Sequence, residues 1–142
     1  SLVPVYATFQ PTVLKQTETS EPRFVVNFTE DKAGFYINSQ KFEMNAGPML
    51  TVDVGSLQHW RVMNPTSEVH PFHIHQVHFL VYAVGGNRVK LPIWLDTVNV
   101  PYGSSVDLVM DFTDPIIRGM SLFHCHLLKH EDKGMMAKIL FR

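Results

Sequence analysis

Near the end of the chain, His124-Cys125-His126-Leu127-Leu128-Lys129-His130-Glu131-Asp132-Lys133-Gly134-Met135-Met136 brings together three histidines, the only cysteine and a methionine ten positions after it. Imidazole, thiolate and thioether are the soft and borderline donors that copper prefers. Two imidazoles and one thiolate, with a long axial methionine sulfur, make a blue-copper site. Cys125, His130 and Met135 offer three of those four donors in one segment, and Gly134 permits a tight backbone beside Met135. Zinc also accepts Cys and His, but structural zinc sites favour a paired-cysteine spacing that a chain with one cysteine lacks.

The fourth donor must come from elsewhere, and His70-Pro71-Phe72-His73-Ile74-His75 supplies it. This stretch opens an apolar run that reads as strand through Val84. Strand side chains alternate faces with a period of two. His73 and His75 then share a face, and His70 has the opposite parity. His124 and His126 likewise point to one side and Cys125 to the other. Two donor sets follow if the segments are neighbours: His70, Cys125, His130 and Met135 in one, and His73, His75, His124 and His126 in the other. Pro71 lies inside the first count and can disturb it locally.

At these residues the chain resembles the laccase-type multicopper oxidases. HPFHIH followed by HCHLLKHEDKGMM is similar to the two C-terminal copper motifs of that family, and the likeness extends over roughly residues 23 to 142. It includes Tyr36-Ile37-Asn38, Trp94-Leu95-Asp96-Thr97 and Ala137-Lys138-Ile139-Leu140; Ser39 stands where the family usually has glycine. The resemblance implies a cupredoxin Greek-key fold. It implies that His70, Cys125, His130 and Met135 hold a type 1 copper. By the same resemblance His73 is a type 2 ligand, and His75, His124 and His126 are type 3 ligands of a trinuclear cluster. Glu131 resembles an acid that assists proton delivery there, and a solvated loop carboxylate is the equal alternative.

The function implied is oxidation of a reducing small-molecule substrate at the type 1 copper. Electrons would pass through Cys125 to His124 and His126, and dioxygen would be reduced to water at the cluster. The family's cluster takes eight histidines, and this chain offers half of them. Three readings therefore stay open. The chain is one piece of an oxidase, completed by an N-terminal cupredoxin domain; or it is a stand-alone type 1 electron carrier; or several copies pool their four-histidine sets. A copper nitrite reductase motif lacks histidine on both sides of the cysteine, which counts against that relative. Export to the periplasm or cell exterior is implied only by the family.

What must position these residues is legible in the remaining chain. Its 142 residues fit one domain with a real core. Net charge is −1, with no basic block or aromatic-basic stripe to suggest nucleic acid, and no apolar run reaches the length of a membrane span. One cysteine excludes an internal disulfide. Because the chain opens on Ser, a processed protein, a fragment or a trimmed chain is expected.

Residues 1–22, with three prolines and a polar run from Lys15 to Glu21, read as an arm or interdomain linker, and residues 23–142 as the domain. Strands are predicted at Phe24–Phe28, Phe35–Ile37, Met49–Val54, Trp60–Asn64, His70–Val84, Thr97–Val100, Ser105–Phe112, Ser121–Cys125 and Met136–Phe141. Many short strands between Gly, Pro and Asn turns imply an all-β sandwich or barrel. One short helix is expected, around Leu127–Asp132 or near Pro115–Arg118. His59 and His78 read as packing or surface residues, and the scattered Met44, Met49, Met63, Met110 and Met120 as core filler.

Overall fold

In the computed structural model, residues 11–125 and 135–142 are described. Among the described residues, eleven strands form two sheets. The six-stranded sheet has the order β2 (Gly34–Ile37), β1 (Phe24–Asp31), β4 (Ser56–Asn64), β9 (Ser104–Phe112), β6 (Phe79–Val84), β7 (Asn87–Leu95). The five-stranded sheet has the order β3 (Leu50–Val52), β11 (Met136–Phe141), β10 (Gly119–Cys125), β5 (His70–Ile74), β8 (Thr97–Val100). Most pairs are antiparallel; β1 with β4 and β3 with β11 are parallel.

The core lies between the sheets. Trp60 of β4 is fully buried, with Phe24, Phe112 and Phe123 rings 4.9, 5.6 and 5.7 Å away. Phe72 of β5 meets Phe28, Phe79 and Phe123 in tilted contacts. Offset aromatic packing of this kind adds to the apolar area it removes from water. Alternation along β5 explains why: His70, Phe72 and Ile74 are buried, while Pro71 and His73 are half-buried on the other face.

The apolar run from His70 does not continue as one strand to Val84. It breaks into β5 and β6, which belong to different sheets. Gln76 makes the break with φ +72°, a left-handed conformation unusual outside glycine. Phe72 and Ile74 of β5 and Phe79 and Val81 of β6 face the same core, one pair from each sheet. β6 then turns into β7 through Gly85 and Gly86, with φ +59° and +82°. A two-residue hairpin with positive φ at both positions matches the natural strand twist.

The helices agree with expectation in one place and differ in another. Pro115–Ile117 form a short 3₁₀ turn, where one was expected, started by Asp114 accepting from the Ile116 amide at 3.0 Å. A longer helix, α1, also forms at Pro11–Thr19, within the segment read as an arm. Proline suits its first position, where the missing N–H costs nothing. Thr19 and Ser20 hydroxyls turn back onto the Lys15 and Thr17 carbonyls, at 2.9 and 2.6 Å, and close the helix. Leu14 of α1 and Leu57 pack on a second apolar cluster of Leu80, Tyr82, Ala83, Trp94 and Val109, on the outer face of the six-stranded sheet. The alternative helix at Leu127–Asp132 lies outside the described residues. Among the described residues, no helix is long and apolar enough to cross a membrane.

Candidate metal centre

β5 and β10 are antiparallel neighbours, with His73 opposite His124 and Phe72 opposite Cys125. This register sorts the donors. Cys125 shares the core face with Phe72, and therefore with His70, two positions along β5. His124 shares the opposite face with His73.

On the core side, His70 Nδ1 lies 3.4 Å from Cys125 Sγ, and both residues are fully buried. Met135 is also fully buried, and the Cys125 amide donates to its carbonyl at 3.1 Å, which fixes the methionine beside the cysteine. The Phe28 ring stands 5.5 Å from that of His70. Imidazole nitrogen and thiol sulfur are thus gathered in a dry aromatic setting, with the buried Met135 next to them. Glu30 and Glu68 reach the same histidine from the surface, with ligand atoms of the three residues within 4.8 Å of one another.

On the other face, His73, His75 and His124 bring one ring nitrogen each to within 4.8 Å of one another. Their ring centroids are 4.9 to 5.2 Å apart. Hydrogen bonds at the back of two rings set which nitrogen faces the cluster. His73 Nδ1 meets the Asp96 carbonyl at 2.8 Å and Thr97 Oγ1 at 3.0 Å, and His124 Nδ1 meets the Cys125 carbonyl at 3.0 Å. A carbonyl can only accept, so each Nδ1 carries a proton, and in the neutral ring each Nε2 then keeps the lone pair that a metal needs. This is the backing that metal-ligating histidines ordinarily have. His75 Nε2 and His124 Nε2 approach to 3.0 Å, a distance at which two ring nitrogens need a proton or a cation between them.

The chemistry of both donor sets therefore fits copper. His126, His130 and Glu131 lie outside the described residues. Asp96 receives His73 through its main-chain carbonyl; its carboxylate is 3.8 Å from His73 Nδ1 and accepts from Thr97 Oγ1 at 3.0 Å. Thr97 lies in the Trp94-Leu95-Asp96-Thr97 motif, but only the fold brings its hydroxyl to His73. Glu30 and Glu68 were also missed, because their proximity to His70 depends on how β1 lies against the loop before β5.

A two-sheet β-sandwich with soft donors packed inside and imidazoles clustered outside one strand pair defines a cupredoxin-like metal-binding domain. The multicopper oxidase family model matches residues 7–142, and the chain belongs to that family. Copper is the family's cofactor, and its members are oxidoreductases. A multicopper oxidase of Staphylococcus aureus is 32% identical over 109 residues, which cover 72% of this chain and 24% of that protein. A laccase of Bacillus subtilis is 30% identical over 106 residues, covering 61% of this chain and 20% of the laccase. Among solved structures, a multicopper oxidase of Aquifex aeolicus superposes with TM-score 0.77 at 25% identity, covering 87% of this chain and 30% of that one. A laccase of Pediococcus acidilactici gives TM-score 0.77 at 29% identity, with 87% and 27% covered. The chain spans about a quarter of the length of the curated relatives it matches.

Proposed function

We propose that this chain is the C-terminal, copper-carrying part of a laccase-like oxidase, with residues 23–142 as the cupredoxin domain and residues 1–22 as the arm leading to it. His70, Cys125, His130 and Met135 would hold a type 1 copper; His73 would be a type 2 ligand, and His75, His124 and His126 type 3 ligands. Copper bound at these residues supplies one-electron chemistry, by which a reducing small-molecule substrate is oxidised and dioxygen is reduced to water. The remaining imidazoles of the second set would come from an N-terminal cupredoxin domain.

One observation carries this reading. Cys125 belongs to the buried soft-donor set, and its immediate neighbour His124 belongs to the imidazole set. A few covalent bonds of one backbone therefore join the two. The residues around Cys125 do the rest of the work in excluding water: Phe28, Phe72 and Phe123 are all fully buried. Asp96 and Thr97 hold His73 in one orientation, so its Nε2 is presented without a search over rotamers.

Copper content per chain, solution mass and oxygen uptake with a phenolic donor test it together. The expected result is a blue chain that consumes oxygen only when a complementary histidine-bearing domain is present. One copper in a monomer that transfers electrons, with no oxygen uptake when that domain is added, would identify a carrier instead. Extra copper in a self-assembled oligomer would identify pooled histidine sets.

A further inference from the structure

His59 belongs to neither donor set. It lies on the outer face of β4, 3% exposed, beneath the end of α1. Its Nδ1 is 2.7 Å from the Ser20 carbonyl oxygen, and its Nε2 is 2.7 Å from Oδ1 of Asp107. A carbonyl only accepts, and so does an ionised carboxylate. A neutral imidazole has one N–H and one lone pair, so it satisfies one of these oxygens. The imidazolium satisfies both.

The surroundings suit that charge. Asp107 comes from β9 and also accepts from Nε of Arg61, on β4, at 2.8 Å; the arginine opposes a second cation, and the carboxylate serves both. Tyr82 of β6 sets its ring 5.5 Å from His59 and donates its hydroxyl to the Glu18 carbonyl at 2.9 Å. Burial first, and then the charges of Asp107 and Glu18, push this phenol above its ordinary range, so it stays a neutral donor. The Glu18 carboxylate is paired with Arg88 of β7 at 3.2 Å. His59 also faces the C-terminal end of α1, where the helix dipole favours a cation. Glu21 and Arg23, which follow Ser20, line with Leu57 a cleft of about 260 Å³ that reaches His59 and admits water for proton exchange.

We propose that His59 is a proton-operated latch on the arm. Its imidazolium fastens Ser20, and with it the end of α1, to the six-stranded sheet. The bond to the Asp107 carboxylate is charge-assisted and the stronger of the two. On losing one proton the ring therefore keeps the other on Nε2 and turns the Nδ1 lone pair toward the Ser20 oxygen. The contact that fails is the one to the arm, while β4 and β9 stay paired. The arm is seated on the acid side of the ring's titration and loosens on the alkaline side.

Two measurements on the whole chain, with any bound copper reduced to its diamagnetic form, decide the matter. Nitrogen-15 NMR of His59 should show both ring nitrogens protonated while the arm is seated. Amide-exchange protection of residues 14–20, corrected for intrinsic exchange, should fall about tenfold as the ring loses a proton, with β4 and β9 unchanged. His59→Gln should flatten that pH dependence. A singly protonated ring under a fully protected arm, or protection indifferent to the ring's titration, overturns the latch. The wild-type measurements stand even if the variant does not fold.

Discussion

His124 and Cys125 are adjacent in the chain and face opposite sides of one sheet. The first lies 3.0 Å from His75 through its Nε2, the second 3.4 Å from His70 through its sulfur. A strand's period of two thus separates the donor sets spatially while one peptide bond keeps them connected. Each set can be altered with little disturbance to the other.

Cys125→Ser removes the thiolate from the buried set and replaces it with a smaller hydroxyl. The intense blue thiolate-to-copper absorption should disappear, while far-ultraviolet circular dichroism keeps its β signature. Retention of the blue colour would show that Cys125 is not a ligand.

Thr97→Val keeps the shape beside His73 but deletes the Oγ1 contact at 3.0 Å. Losing such backing typically weakens metal binding about 10- to 100-fold. Copper at the imidazole set should be lost at lower chelator concentration, with the blue band unchanged. Competition titration followed by optical spectroscopy measures both.

Ser39→Gly tests the turn after β2. Asn38 and Ser39 have φ +51° and +64°, in the left-handed region. A non-glycine residue there costs about 1–2 kcal/mol, and glycine's extra unfolded-state entropy returns about 0.5–1 kcal/mol. The variant should be more stable by about 0.5–1 kcal/mol in urea denaturation, with an unchanged m-value.

The β1–β2 turn should loosen in acid. Asp31 accepts from the Ala33 amide at 2.7 Å, the Tyr36 hydroxyl at 3.0 Å and the Gly34 amide at 3.1 Å. The Ala33 bond first, and then that from Tyr36, hold its carboxyl below the ordinary value of 3.8. A depressed carboxyl contributes fully above its unfolded value and loses that contribution as pH falls through the folded one. Amide shifts of Ala33 and Gly34 should therefore titrate with a midpoint below 3.8, and Asp31→Asn should abolish the transition.

The parity of the histidines was readable because strand geometry is local: the pattern H-P-F-H-I-H already separates His70 from His73 and His75. The all-β character and most strands were equally plain. What was hidden depends on distant chain. Strand β7 escaped notice because Leu91 and Ile93 are exposed and Pro92 interrupts it, so no alternation marks it. The break at Gln76 carries no glycine or proline signal, and only the assignment of β5 and β6 to different sheets makes it necessary. Helix α1 is rich in threonine, a poor helix former, and owes its place to Leu14 docking and to its contacts with Tyr82 and Arg88. His59 reads from sequence as a packing or surface residue because its partners, Ser20 and Asp107, are 39 and 48 positions away.

The complete burial of Cys125 has a practical corollary. In metal-stripped protein, an alkylating reagent such as a maleimide can meet the buried sulfhydryl only after the packing around it opens. Labelling kinetics would then clock that opening, with no engineered reporter needed.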